Sequence, residues 1–359
     1  MFVIGPGPYI SSLCYSVLKI EPYDFCSLNC VYCYANWYSR KTRRVVGEFE
    51  KIAKKLKKRG LKTIPFRLST LTEPFQPIEQ ARKLSLRILK ISRKYSIPLI
   101  INTKSTIVLK DPWKSEILKL HDKSLVVLQI TLITHREELA RKLEPRAPSP
   151  RERLEICEYF SNQGIPVVVR LQPLIPGLFT EKEEIEEYFS LLKMAGVRQV
   201  IVEALRCRRE DLETLVESPE YRDEKFWISY SPRKPEIDVI KPNREWIYGK
   251  LKELKNVAVK AGIGFTTCKE GLFNLHTVPN CCGIHYLEDY RLRPTLYEFW
   301  KYGKLYSGEG LNFLENEKYL YGEKLNEYPR IVRKGLKIHE KILLEILSEP
   351  EILAKIILK

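Results

Sequence analysis

A chain of 359 residues, 44% hydrophobic and 30% charged, is long enough for one large α/β domain with an appendage and too apolar for a disordered polymer. No apolar run is long enough to span a bilayer, and residues 1–8 lack the basic head and apolar stretch of a secretory signal. With 9 cysteines that suit a reducing compartment, these features exclude a membrane protein and predict a cytoplasmic one. The 61 Lys and Arg against 45 Asp and Glu leave a net charge of +16. That excess fits an anionic partner, DNA or RNA first, and equally a generally basic solvated surface. A thermophilic composition, rich in Lys, Arg and Glu with only 2 Met, explains abundant charge but not the surplus of cations.

In chain order, the apolar run at residues 14–20 predicts a strand ending just before a cysteine loop. Residues 47–58 place Phe49, Ile52, Ala53 and Leu56 at helical spacing. A strand at 64–69, a helix at 80–95, a strand at 98–102, a short helix at 113–120 and a strand at 125–132 follow. Residues 150–163 predict a helix that stops at Gly164, 166–171 a fifth strand, 181–195 a helix closed by Gly196, and 197–205 a sixth strand. This alternation predicts a parallel sheet of the α/β class. Residues 207–245 are polar, with scattered aromatics and prolines, and predict an insertion or linker. Beyond it, residues 246–261 form an amphipathic helical pattern and 262–265 a short strand. The rest is aromatic and charged, ending in a helix at 331–359 interrupted near Pro350. Residues 246–359 therefore read as an α-rich, basic C-terminal extension.

The cysteine loop carries the most chemistry. Cys26, Cys30 and Cys33 stand as Cys-x3-Cys-x2-Cys. Three thiolates at this spacing bind three irons of a cubane [4Fe–4S] cluster and leave the fourth iron open, whereas an electron-transfer cluster normally has four cysteines. Structural zinc would want a fourth Cys or His close by, and the next cysteine after Cys33 is Cys157. The loop lies at a strand's carboxyl end, where barrel enzymes place their active sites.

With aromatic Tyr32 just before the last cysteine, this motif resembles the radical SAM superfamily. Leu71-Thr-Glu-Pro-Phe-Gln-Pro-Ile-Glu, Thr103-Lys-Ser, the proline-rich run from Leu139 to Pro150 and Pro173-Leu-Ile-Pro-Gly resemble its spore-photoproduct-lyase-like branch. Together these segments run from about residue 14 to 205. The resemblance implies a partial (β/α)6 TIM-type barrel over residues 1–206, a [4Fe–4S] cluster and S-adenosylmethionine (SAM). It also implies a flavodoxin- or ferredoxin-like electron donor and reductive cleavage of SAM to methionine and a 5′-deoxyadenosyl radical that takes a hydrogen atom from the substrate. Tyr32 takes the place of the aromatic residue near the adenine. Thr72 and Glu73 match the positions where many members hold the SAM amino group with a Gly-Gly-Glu motif.

Other polar residues stand at strand ends. Lys104 suits the methionine carboxylate or a substrate phosphate. Gln129 and Thr131 suit ribose hydroxyls, and Arg170, inside a Val-rich strand, calls for an anionic partner, the SAM carboxylate or a substrate. Glu203 is a further inward polar candidate, and Arg146 suits a phosphate, a cap or an ion pair. The photoproduct-repairing members carry a hydrogen-donating cysteine after the second strand; here Ser69, Thr70, Leu71 and Thr72 fill that stretch. A second candidate metal or cluster site is Cys268, Cys281 and Cys282, with His276 and His285 nearby. Buried thiols, or one redox-active or hydrogen-donating cysteine, are the other reading of that group. The leading functional expectation is a radical SAM enzyme acting on nucleic acid. A radical SAM enzyme on a peptide or small metabolite with an auxiliary centre is the alternative, and a non-catalytic nucleic-acid-binding metalloprotein a third.

Overall fold

A computed structural model describes residues 2–37, 44–231 and 238–357. Six strands, β1 (Lys19–Ile20), β2 (Phe66–Leu68), β3 (Leu99–Thr103), β4 (Val126–Thr131), β5 (Val167–Leu174) and β6 (Gln199–Ala204), lie side by side in chain order, all parallel. Helices between them, such as Val45–Lys58, Leu84–Tyr95, Pro150–Asn162 and Lys182–Met194, bury one face against the sheet. Their ends follow local chemistry: Ser149 and Glu152 form a reciprocal capping box, with Pro150 at the first helical position. The parallel α/β architecture expected of the sequence is present, and β3, β4 and β5 are apolar on both faces at their amino ends.

Three differences from the sequence-based expectation have physical reasons. The first strand is only two residues long. Ser16 sits instead in a loop, its hydroxyl donating to the Pro65 carbonyl at 3.0 Å, while Leu18 bridges Val3. The second concerns residues 207–245, where β7 (Cys207–Arg208), β8 (Trp227–Ser229) and β9 (Val239–Pro242) form an antiparallel sheet in the order β7-β9-β8. Buried Trp227 and Ile240 anchor it; residues 232–237 lie outside the described part. The third is a seventh barrel strand. The short strand expected at 262–265 is β10 (Gly264–Thr267), paired in parallel with β6 from Gly264↔Gln199 to Thr267↔Val202. It satisfies backbone groups that β6 would otherwise leave bare at the sheet edge. The sheet therefore continues beyond residue 206, with β1 and β10 as its edges, an incomplete barrel of seven strands.

The chain then turns back into the barrel. Residues 280–287 enter the lumen, where Cys281, Cys282, Ile284 and Leu287 pack with Tyr15 against Ile100, Val127, Val168 and Ile201. Gln129 donates to the Cys282 carbonyl at 2.9 Å and Gln199 to the Asn280 carbonyl at 3.0 Å. Gly283 makes the closest approach. Its φ is +71°, and a Cβ there would lie 3.0 Å from Val127 and 3.1 Å from Val168. This plug closes the amino-terminal half of the barrel and leaves the carboxyl-terminal mouth for chemistry.

The helix Arg330–Leu347 straps the N-terminal segment, with Gly335 against Val3. The helix Pro350–Ile356 follows it, and residues 358–359 of the expected terminal helix lie outside the described part. His339 is fully buried in the strap. Its Nε2 donates to the Ile4 carbonyl at 3.0 Å, so its Nδ1 accepts from the Ser11 hydroxyl at 2.8 Å. Burial, with Arg293 adding to it, lowers its pKa from 6.5 to about 4. The unfolded chain therefore takes up this proton first, and stability falls as pH drops through the interval from 6.5 towards 4. The loss from this one group approaches about 3 kcal/mol at the acid end. Urea unfolding at a series of pH values should show a shallower acid loss for His339→Gln than for the wild type; parallel curves would contradict this.

Candidate active site

Alternation along the strands sorts the inner face into layers. Ile100, Val127, Val168 and Ile201 meet the plug. Above them stand Arg67, Asn102, Gln129 and Arg170, and at the mouth Ser69, Lys104, Thr131, Gln172, Glu203 and Cys268. The apolar floor and polar mouth follow from where the plug stops.

The cysteine loop lies at this mouth and is clamped from two sides. Glu144, in the proline-rich run, is buried and accepts from the Tyr32 hydroxyl. The same carboxylate pairs with Arg153 at 2.5 Å and with Lys104 at 3.7 Å. The Val31 amide adds a bond to the Leu143 carbonyl at 3.0 Å. On the other side Gln76 accepts from the Ser27 amide at 3.0 Å and donates to the Phe25 carbonyl at 2.8 Å. Within the loop the Cys33 amide donates to the Cys30 carbonyl at 3.2 Å, and Asn29 takes a left-handed φ of 51°. Sequence reasoning missed both Glu144 and Gln76. Their only signal was membership of the two family-like segments.

Burial pushes the Cys30 thiol up to about 11 against the opposing pull of Lys104, and burial also raises Cys26. Lys104 itself stays charged: burial works against it, but Cys30 and Glu144 raise its pKa overall. Metal ions at the loop would displace the thiol protons, so the thiolate state is coupled to metal binding. Among the described residues no three Cys, His, Asp or Glu side chains converge on one point as ligands of a single ion do. A cubane does not ask for that, because each thiolate binds its own iron. The half-buried, clamped loop with one cation beside it fits such a cluster.

The other expected SAM contacts are distributed as follows. Tyr32 is at the loop, its hydroxyl committed to Glu144 and its ring 5.8 Å from the Lys104 ammonium. The Thr72 hydroxyl meets Glu21 at 3.3 Å; Glu21 also accepts from the Thr70 amide at 2.9 Å and so shapes the loop after β2. Glu73 is buried, accepting from the Thr103 hydroxyl at 2.6 Å and the Lys104 amide at 2.9 Å, which ties that loop to the end of β3. Thr131 ends β4 opposite Arg170 in register. Gln129 is turned to the plug and accepts from both Arg67 at 3.4 Å and Arg170 at 3.1 Å. Glu203 pairs with Arg206 at 2.9 Å and Lys269 at 2.5 Å. Arg146 is exposed. Gln172, not singled out in the sequence, is buried with both amide atoms unpartnered. An orphaned amide in the same strand as Arg170 suits a polar ligand.

The second cysteine group is partly brought together and gains a member. The Cys281 and Cys282 sulfurs are 3.6 Å apart, and Arg67 donates to Cys282 Sγ at 2.9 Å. Hydrogen bonds from Cys14 and Cys281, aided by Arg67 and Arg170, hold the Cys282 thiol well below its usual range. Cys268 is also lowered, first by its bond with Cys281. His276 is engaged with the Thr267 hydroxyl at 2.9 Å, and His285 lies against the Tyr286 ring at 4.0 Å. These side chains do not converge as ligands of one ion.

The radical SAM superfamily model matches residues 20–192. Residues 20–192 form a radical SAM domain. Among curated proteins, the uncharacterized protein ORF301 of Acidianus two-tailed virus is 32% identical over 149 residues, covering 41% of this chain and 48% of that protein. A radical SAM Nalpha-GlyT isomerase of Pseudomonas phage M6 is 25% identical over 197 residues, covering 53% of this chain and 40% of that one. The chain thus spans about half the length of these relatives or less. A solved spore photoproduct lyase variant aligns with a TM-score of 0.51 at 14% identity, covering 70% of this chain and 76% of that one, a likeness of fold.

The clamp on the radical SAM cysteine loop is testable. Glu144→Gln leaves Arg153 and Lys104 without their carboxylate, and breaking a buried pair in this way costs about 3–5 kcal/mol. The variant is expected to melt at lower temperature and to retain less iron per chain after reconstitution and gel filtration. Equal iron content and melting temperature would show that the loop does not need Glu144.

Proposed function

We propose that the protein is a radical SAM enzyme acting on nucleic acid, with Cys26, Cys30 and Cys33 holding a [4Fe–4S] cluster. The observation that carries the reading is the three-cysteine loop, clamped at the polar mouth of a barrel whose far end is plugged. When bound, the cluster and SAM supply one-electron reductive cleavage of the sulfonium and a carbon radical that takes hydrogen from the substrate. The chain's own residues position and enclose. Glu144 and Gln76 fix the loop, while Thr72, Glu73, Lys104 and Thr131 would surround the cofactor and Arg170 would meet an anionic group. Tyr32 would stand beside the adenine, and the plug at Cys281 and Cys282 would keep water from entering through the floor. A flavodoxin- or ferredoxin-like protein of the cytoplasm supplies the electron. No helix among the described residues is long and apolar enough to cross a membrane.

The net charge of +16 supports nucleic acid as the substrate. The alternative, a peptide or small metabolite with an auxiliary centre at Cys268, Cys281 and Cys282, requires those thiols to move onto common metal atoms. The non-catalytic alternative requires metal without SAM cleavage.

Anaerobic reconstitution with iron and sulfide, followed by dithionite and SAM, is expected to yield 5′-deoxyadenosine from the wild type. The triple alanine variant of Cys26, Cys30 and Cys33 should yield none. DNA or RNA binding by the same protein should weaken steeply as salt is raised. Product without such binding would transfer the reading to a peptide or metabolite, and a loaded cluster with no product would contradict the enzymatic reading.

A further inference from the structure

Most of the charges around the mouth are matched. Lys19 faces Glu21 at 3.6 Å and Lys241 faces Glu270 at 3.4 Å. Lys104 and Arg153 share Glu144, with Glu73 close to Lys104. What remains is a cationic group on β2, β5 and the segments after β6 and β10: Arg67, Arg170, Arg206 and Lys269. Arg67 donates to the Cys282 sulfur, which its hydrogen bonds favour as a thiolate. Arg206 and Lys269 share the single carboxylate of Glu203. Arg170 has no carboxylate partner among the described residues, and its NH1 donates to the neutral Gln129 at 3.1 Å.

Arg170 is therefore left without a carboxylate, and Arg206 and Lys269 have one between them. The half-buried position of Arg170 and the nearness of Arg67 make this costly, which shows as a lowered pKa for Arg170. The Lys104 ammonium suits the SAM carboxylate, which leaves Arg170 to another anion. Two further observations point the same way. Gln172, two residues beyond Arg170, is 9% exposed with both amide atoms unsatisfied. Arg206 lies 5.2 Å from the ring of Tyr34, the residue after Cys33, and 4.8 Å from that of Tyr230, which fixes the cationic group beside the cysteine loop.

We propose that Arg170, Gln172 and Lys269 form an anion site inside the barrel mouth that holds a phosphate group of the substrate. A guanidinium fork, an amide donor and an ammonium suit a tetrahedral oxyanion, and the uncompensated charge favours phosphate over a neutral group. The identification of that phosphate with a nucleic-acid backbone rests on the function proposed above; the site itself does not.

The test is titration calorimetry of inorganic phosphate into full-length, cluster-loaded protein at low ionic strength, with and without saturating SAM. The expected result is one phosphate per chain in both conditions. Arg170→Gln should weaken binding about tenfold or more, and the exposed Arg87→Gln on an outer helix should leave it unchanged. Equal affinity for Arg170→Gln, or loss of phosphate binding when SAM is added, would overturn the site; in the second case the anion is the cofactor's carboxylate. Iron content and circular dichroism verify the fold of Arg170→Gln, and Lys269→Met with Gln172→Leu carries the same comparison should it misfold. Phosphate binding that depends on Arg170, without DNA or RNA binding, would remove the nucleic-acid reading and leave the site. DNA or RNA binding with no dependence of phosphate on Arg170 would do the reverse.

Discussion

The active region depends on one buried carboxylate. Glu144 receives the Tyr32 hydroxyl, the Arg153 guanidinium and the Lys104 ammonium, which come from the cysteine loop, a flanking helix and the end of β3. A charge with almost no solvent exposure is tolerable only when its partners are in place, so the geometry of these three segments is mutually enforced. The cysteine loop has no regular secondary structure to hold it except a short 3-10 turn at Tyr34–Trp37. Without external anchors a half-buried loop carrying three thiols would not present them in one arrangement. Gln76 supplies the second anchor through backbone bonds to the same loop.

The plug is the complementary constraint. By filling the amino-terminal half of the lumen with apolar side chains, it places the remaining polar residues in a one-ended pocket. Arg67 links the two regions, since its guanidinium bonds the Cys282 sulfur below and shares Gln129 with Arg170. Electrostatic interactions among side chains buried there are stronger than at a surface. A charge imbalance there is correspondingly informative about what the pocket is built to receive.

Local features of this architecture were legible in the sequence, and distant ones were not. The spacing of Cys26, Cys30 and Cys33 and the β-branched strands are written in adjacent residues, and the strands appear as expected in the folded chain. Glu144 and Tyr32 are 112 residues apart, and nothing in composition or periodicity links them. The segment around Cys281 and Cys282 reads as a possible metal motif because thiols stand close in sequence. In the fold both are buried against the inner sheet, with the Cys282 sulfur accepting from Arg67. The four residues of β10 were too short a run to mark a barrel strand, and only the open edge of β6 gives them that place. In the polar insertion, Trp227 and Ile240 were too isolated to signal a sheet.

The most direct test is electron paramagnetic resonance of the cluster-loaded, dithionite-reduced protein before and after SAM is added. A cubane on three cysteines with one iron open to the cofactor should change its signal on addition, and the triple alanine variant should show no cluster signal. An unchanged spectrum from a fully loaded cluster would mean that SAM does not reach an iron at this loop, and would contradict an open coordination position at the barrel mouth.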